Sequence, residues 1–490
     1  MTPVPDARRR QLNERPLRRD GRYVVYWMVA HRRLEWNHAL DHALARAREC
    51  DVGLVILEAL RIDYPWSAAR HHRFVLDGMR EHRTRLGDVP VTYLPYVEPK
   101  PGEGKGLLEA LAARACTVVT DDYPVFFLPR MQAAVADRLE VPLESVDSNG
   151  IAPMRAAGRT FTMAVHFRRH LQKEIVDHLA VWPDAEPLDG LELPAVELPS
   201  DLLERWPMAD DHLLDPDTDP AAHLPLCSDV APVSLRGGAA AGRERLLAFL
   251  DDDLEAYGEG RNDPDDDRSS GLSPWLHWGH LSPHEAVFRL LQREEWSPAR
   301  VADKVQGKRE GWWGMSAGAE AWLDELITWR ELGFNYAAEH PDDYDDYDTL
   351  PDWALDTLAD HRADPREYTY DLDTFDAADT HDELWNAAQR QLRREGVIHN
   401  YLRMLWGKKI LEWTPDPRTA LDVMIELNNR YAIDGRDPNS WSGIFWVLGR
   451  FDRGWPERAI YGKVRSMSSE STRRKVSVDN YLQRFGKDSD

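Results

Sequence analysis

Through its first 150 residues the chain alternates short apolar runs with segments of helical period. The run YVVYWMVA, beginning at Tyr23, is apolar throughout and predicts a strand buried on both faces. HRRLEWNHALDHALARAREC then spaces its apolar residues at the helical repeat. VGLVILEAL (52–60), VPVTYLPYV and TVVTDDYP repeat the strand pattern, and LESVDSNG closes it. Between them lie helical stretches around Arg70, His72 and Phe74, in GLLEALAARA and in LPRMQAAVADRL. Strands alternating with helices predict a parallel, Rossmann-like sheet covered on both faces, an α/β domain over 21–180. Ligands of such sheets bind beyond the carboxyl ends of strands, so the turns after Trp27, Leu57 and Thr120 are candidate lining. No GxGxxG follows the first strand, so the dinucleotide fingerprint is absent. Residues 1–20 read as a disordered arm or a surface helix.

The texture changes further on. Residues 181–235 are rich in Pro, Asp and Leu and predict a linker between domains. From 236 to 480 the pattern is helical, in AAAGRERLLAFLDDDLEAYGEG, AEAWLDELITWRELGFNYAAEH and 381–429, and a tail follows at 481–490. The acidic PDDYDDYDTLPDW (341–353) reads as a solvated loop without assigned chemistry.

Composition narrows this picture. At 490 residues the chain exceeds one hydrophobic core, and 42% apolar with 30% charged content describes a globular protein. No apolar run reaches bilayer length, and the basic N-terminus lacks an apolar signal core, so a cytoplasmic protein without membrane attachment is expected. Cys50, Cys116 and Cys227 show no metal-ligand spacing, and no metal is expected. A net charge of −24 opposes a polyanionic partner, yet from Arg403 onward 16 Lys and Arg face 12 Asp and Glu, which leaves room for a local basic face.

The densest chemistry runs from His381 to Arg465. Trp385, Trp406, Trp413, Trp441, Trp446 and Trp455 are interleaved there with Arg, Lys, Asn and Asp. Such a mixture suits a pocket that stacks flat rings and neutralises phosphates; a tryptophan-rich core is the plainer alternative. Trp406 and Trp413 are seven apart, two turns along one helix face, and Asn428 alone would read as a helix-end cap. The serines at 269, 270 and 273 can cap a helix or hold an anion.

The order of these blocks resembles a known family. THDELWNAAQ, GVIHNYLRMLWGKKILEW, LNNRYAIDGRDPN and GWPERAIYGKVR are similar to the signature blocks of class II cyclobutane pyrimidine dimer photolyases, members of the photolyase/cryptochrome flavoproteins. GLSPWLHWGHLSP is shared more broadly across that superfamily. The resemblance implies an α/β antenna domain followed by an all-α domain binding FAD, the photolyase/cryptochrome fold. It implies light-driven repair of dimers in UV-damaged DNA by a monomer, with electron transfer from reduced FAD to a flipped-out dimer. An antenna chromophore such as an 8-hydroxy-deazaflavin is a further expectation.

Motif by motif, the resemblance places Asn428 near flavin N5 and Trp385, Trp406 and Trp413 in the electron relay. It assigns Glu331 to the dimer base, and Trp446, Asp452, Trp455 and Arg465 to the dimer pocket and its rim. Tyr257, Ser269, Ser270, Leu272, Ser273, Asn335, Arg403, Asp434, Arg436 and Asp437 are expected around the flavin, with His399 and Asn400 in the same region and His399 not as a catalyst. Arg450, Lys463, Arg465, Arg473, Arg474 and Lys475 are expected at DNA. Three departures stand out. WVLGRFDRGW is one residue shorter than the family's loop and carries Arg450; GFNYAAEH keeps Asn335 but loses a cysteine; and VAHRRLEWNHAL replaces the usual SRDQR block. The rival readings are a cryptochrome-like photoreceptor, whose discriminator would be loss of Glu331 or the pocket tryptophans, and a flavoprotein that no longer recognises DNA.

Overall fold

In a computed structural model, which describes residues 3–487, the chain forms two compact units. The first takes residues through 156 with 175–244 and 272–289; the second takes 157–174, 245–271 and the residues from 290 onward.

The first unit is built on six strands: β1 (Arg9–Gln11), β2 (Tyr23–Met28), β3 (Gly53–Leu60), β4 (Thr92–Val97), β5 (Ala115–Asp121) and β6 (Leu143–Val146). They lie in the order β1-β6-β5-β2-β3-β4, parallel except for β1. Every residue of the central β2 is buried, as its unbroken apolar run requires when helices cover both faces. The predicted strands therefore stand, and the described part of the N-terminal arm is neither a free arm nor a surface α-helix: one 3-10 turn at Asp6–Arg8 leads into β1. Arg9–Gln11 pairs antiparallel with β6 and covers an edge that would otherwise expose unpaired backbone groups. Arg8 is buried and donates to the carbonyls of Asp147, Gly150 and Ile151, which fixes the arm.

The 181–235 segment also differs from expectation. It packs onto the α/β unit rather than running free: Leu188 and Leu191 join one core cluster, and Ala209, Leu214 and Leu224 join another. Proline and aspartate break its regular structure, while the leucines spaced between them supply the burial. The unit boundaries shift accordingly. Residues 157–174 leave the α/β unit, because Arg168 forms a buried bidentate pair with Asp324 at 2.6 and 2.9 Å inside the helical unit.

The second unit is helical. A π-helical turn at Asp324–Trp329 runs straight into the Arg330–Glu339 helix. Such turns rotate the residues that follow, and Glu331 comes out of this one buried at 4% exposure. Among the described residues no helix is long and apolar enough to cross a membrane.

Candidate functional site

The tryptophan-rich stretch folds as four helices of the second unit: Glu383–Glu395, Asn400–Trp413, Pro417–Tyr431 and Pro438–Val447. Three start on side-chain caps. Asp382 accepts from Leu384 and Trp385, Asp416 from Arg418 and Thr419, and Asp437 from Asn439. These caps set the helix phases and so aim the tryptophans.

Trp385, Trp406 and Trp413 are all buried. Trp406 and Trp385 stack with centroids 6.5 Å apart and planes 4° from parallel, and Trp413 meets Trp385 at 6.0 Å and 68°. The contacts thus run Trp406, Trp385, Trp413, with the residue from the neighbouring helix in the middle. Trp406 Nε1 donates to Gln389 Oε1 at 2.9 Å, and Trp385 Nε1 donates to the Trp406 carbonyl at 3.0 Å. Beyond Trp413 lie the rings of His381 at 4.9 Å and Tyr370 at 5.8 Å, joined by a 2.7 Å Tyr370 hydroxyl–His381 Nδ1 hydrogen bond. Tyr368, which is exposed, stacks on His381 at 3.6 Å and brings the aromatic run to the surface.

At the opposite end of the Pro417–Tyr431 helix from Asp416, Asn428 Nδ2 donates to Ser440 Oγ at 2.8 Å and to Asn429 Oδ1 at 3.1 Å. Its carbonyl oxygen takes part in neither bond. Asn429 Oδ1 also accepts from the Arg436 backbone N–H, which closes the 428–437 loop. Arg436 turns that loop in the left-handed region, at φ 67°. Arg403 grips Asp434 in a bidentate pair at 3.0 and 3.2 Å. Asp437, expected at the flavin, caps a helix, and His399 Nε2 lies 3.7 Å from Asp267. Burial pushes the His399 imidazole below its ordinary range, so neutral imidazole prevails there.

Buried polar atoms test whether this block suits a polar ring cofactor. Arg403 Nε, Asn429 Nδ2, Gln389 Nε2 and Trp441 Nε1 are buried without a protein hydrogen-bond partner. Native interiors rarely leave such donors unsatisfied, so the donor set fits a ligand rich in acceptors, as a flavin is. The serine loop fits as well. Arg245 holds the carbonyls of Ser269 and Ser270 at 2.7 and 2.8 Å, and neither hydroxyl is used in those contacts. Tyr257 is buried against Phe249, with the Arg261 guanidinium over its ring. Leu272 and Ser273 fall in the first unit, where Leu272 is buried and Ser273 opens a short helix with Pro274. Asn335 is spent on structure in part, since its Nδ2 donates to the Arg159 carbonyl at 3.1 Å.

The last block builds a column of alternating cations and indoles. The Lys408 ammonium lies 4.6 Å from the Trp446 ring centroid, and the Arg465 guanidinium lies 5.7 Å from Trp446 and 4.5 Å from Trp455. Arg453 follows at 5.3 Å from Trp455. Asp452 accepts from Trp455 Nε1 at 3.3 Å and orients that ring. Lys463, Arg473, Arg474 and Lys475 are exposed, Arg474 being paired with Glu470.

No protein-family model matches the chain. The deoxyribodipyrimidine photo-lyase of Methanothermobacter thermautotrophicus is 34% identical over 470 residues, covering 95% of both chains. The chain belongs to the photolyase/cryptochrome family. The photo-lyase of Oryza sativa subsp. japonica is also 34% identical, over 94% of this chain and 87% of its own. Among solved structures, a class III photolyase from Agrobacterium tumefaciens superposes with a TM-score of 0.66 at 18% identity, over 95% of this chain and 86% of its own. A Synechocystis cryptochrome does so at 0.62 and 16%, over 99% and 89%. These likenesses establish the photolyase/cryptochrome fold, a mixed α/β domain followed by a mostly helical one.

Within the family pattern, the shortened loop behaves differently from expectation. Arg450 does not face outward toward DNA. It is 3% exposed, with its guanidinium 3.8 Å from the Phe445 ring and 4.2 Å from Tyr336. It donates to the Tyr344 carbonyl at 3.1 Å and to the Thr349 hydroxyl, so it pins the acidic 341–349 segment. The turn that buries it needs Gly449, at φ 112°, where a Cβ would meet Ala354 and Trp353 at 3.0 Å. Arg450→Leu is therefore expected to leave the salt dependence of DNA binding unchanged. Lys463→Ala should flatten the slope of log K against log salt by about 1, in a titration from low to high salt. Gln389, Tyr370, His381, Lys408 and Arg453 were missed in the sequence. Only Arg453, a cation two residues before Trp455, carried a local signal.

Proposed function

We propose that this chain is a class II deoxyribodipyrimidine photo-lyase, which splits cyclobutane pyrimidine dimers in UV-damaged DNA under light. The observation that carries this reading is the pairing of Trp446 and Trp455 across Arg465, in a chain that also keeps a buried Glu331. Two indoles and a guanidinium offer apolar walls and a positive charge to two strained, covalently linked pyrimidines of one strand, the recognition that base-flipping enzymes need. Glu331 would hydrogen-bond the lesion base, and Lys463, Arg473 and Lys475 would meet phosphates and set the register.

FAD would be held by the Asn428–Asp437 loop, Arg403, Tyr257 and the Ser269–Ser270 carbonyl turn, and when bound it supplies light absorption and an electron. Trp406, Trp385 and Trp413 would conduct an electron inward from the surface. The Trp406 and Trp385 N–H groups donate to neutral amide oxygens, which do not take a proton at ordinary pH, so charge rather than a proton moves along them. An 8-hydroxy-deazaflavin antenna would suit the rings beyond β3 and β5, where Trp66 stacks with Phe126 at 6.2 Å and Tyr64 meets Phe127 at 5.6 Å.

The test is to illuminate the chemically reduced holoprotein with dimer-containing DNA and count restored pyrimidines. Glu331→Ala should keep its flavin and lose restoration by about 100-fold, the usual cost of removing a group that meets developing charge. No restoration by the wild type would leave a photoreceptor or a flavoprotein that no longer recognises DNA.

A further inference from the structure

Lys408 is a buried cation that the reading above does not use. It sits on the Asn400–Trp413 helix at 0% exposure, two residues after Trp406. Its ammonium has three donors, and one of them meets the Val447 carbonyl at 2.5 Å. That carbonyl lies at the last residue of the Pro438–Val447 helix, where the backbone N–H groups of Leu448, Gly449 and Arg450 turn back to the Phe445 and Trp446 carbonyls instead. A neutral donor would serve that carbonyl as well, whereas burying an ammonium with one hydrogen bond is costly. What the ammonium gains is the Trp446 ring, 4.6 Å away, with Arg465 as the next cation in the column.

We propose that Lys408 is a positioning residue for the dimer pocket: its ammonium fixes the Trp446 indole and places a desolvated positive charge beside a ligand that becomes negative on receiving an electron. This rests on the dimer-splitting reading and names a residue that acts through Trp446. Because the Lys408 side chain is fully buried, its charge acts at lower effective dielectric and counts for more than the exposed cations of the rim. It favours the electron-bearing ligand over the neutral one, so it assists splitting more than binding.

The charge on Lys408 is adjustable near neutrality. Burial lowers its pKa to about 7, with Asp452 favouring the ammonium and Arg465 opposing it. The other ionisable groups at hand are engaged elsewhere. Lys409 pairs with Glu412, and the Tyr461 hydroxyl donates to Glu412 and to the Lys408 backbone carbonyl. The ammonium is present below about pH 7 and is lost as the pH rises through that value.

The experiment uses holoprotein whose flavin is chemically reduced beforehand, so that the tryptophan relay is bypassed. Splitting yield per absorbed photon and affinity for a dimer-containing oligonucleotide are measured from pH 6 to 9 for wild type, Lys408→Met and Lys408→Arg. The expected result is a wild-type yield that falls as pH rises through about 7 to 8, a Lys408→Met yield about tenfold lower and flat with pH, and a Lys408→Arg yield that no longer falls. Affinity should change by less than about threefold in Lys408→Met. The proposal is overturned if Lys408→Met matches the wild type in yield and pH profile, or if affinity drops as far as yield. Should Lys408→Met fail to retain flavin, Lys408→Arg decides, and a wild-type fall with pH in that variant overturns the proposal. A wild type that restores no pyrimidines at any pH removes the dimer-splitting reading itself and the proposal with it.

Discussion

Photoreduction of the flavin in Trp385→Phe should slow by at least about tenfold, equivalent to ~1.4 kcal/mol or more on the barrier to charge migration. Splitting by protein reduced chemically beforehand should stay at the wild-type level. The expectation follows from ring order. Trp385 touches both Trp406 and Trp413, at 6.5 and 6.0 Å, so phenylalanine there interrupts the run at its middle while keeping an aromatic ring of smaller volume. The substitution also removes the indole N–H that holds the Trp406 carbonyl, a neutral hydrogen bond worth about 1 kcal/mol. Flavin content and melting temperature should therefore be recorded beside the photoreduction rate. Equal loss of rate and of dimer splitting would make Trp385 a packing residue of the cofactor site instead.

That ring order marks where the sequence stops being informative. The seven-residue spacing of Trp406 and Trp413 shows that both lie on one helix face. It cannot show that an indole from a helix starting at Glu383 inserts between them, because that depends on interhelical packing. The strands of the α/β unit were legible for the opposite reason. A run such as Tyr23–Met28, apolar at every position, has few ways to bury itself other than as a central strand. The Asp382, Asp416 and Asp437 caps depend only on residues two or three positions away, yet none was singled out from the sequence, where Asp437 reads as a flavin residue.

Failures came where a side chain's partner is distant in sequence. Arg450 looks like a phosphate ligand in a loop of Gly, Asp and Trp, but its partners Tyr336, Tyr344 and Thr349 lie about a hundred residues earlier. The acidic 341–349 stretch, read as merely solvated, is the other half of that contact. Arg8 repeats the lesson, since an arginine in a basic arm became a buried donor to carbonyls near residue 150. Charge type identifies chemistry in a sequence, whereas the side it faces is set by long-range packing.

Lys408→Met should raise stability at pH 7 by about 2–3 kcal/mol even as it impairs the proposed activity. Folding carries the Lys408 pKa from 10.5 in the ordinary range down to about 7, chiefly through burial. Between those values the unfolded chain holds a proton that the folded one lacks, so stability rises with pH at up to ~1.4 kcal/mol per unit. The full cost of the buried charge is present at and below pH 7, and it disappears toward pH 10. Methionine keeps the length of the side chain and removes that cost, less about 1 kcal/mol for the Val447 carbonyl left without its donor. Melting temperatures at pH 6.5, 8 and 9.5 check the sign: the variant should melt higher than wild type at the lowest pH, and the gap should close as pH rises. A gap independent of pH would mean that the lysine keeps its proton across the range in the folded chain as in the unfolded one, and the pH dependence proposed for the site would be lost. A closing gap, by contrast, would show a chain that keeps a destabilising charge beside one of the two rings where the lesion is expected to stack, a pattern expected of a functional site rather than of a core.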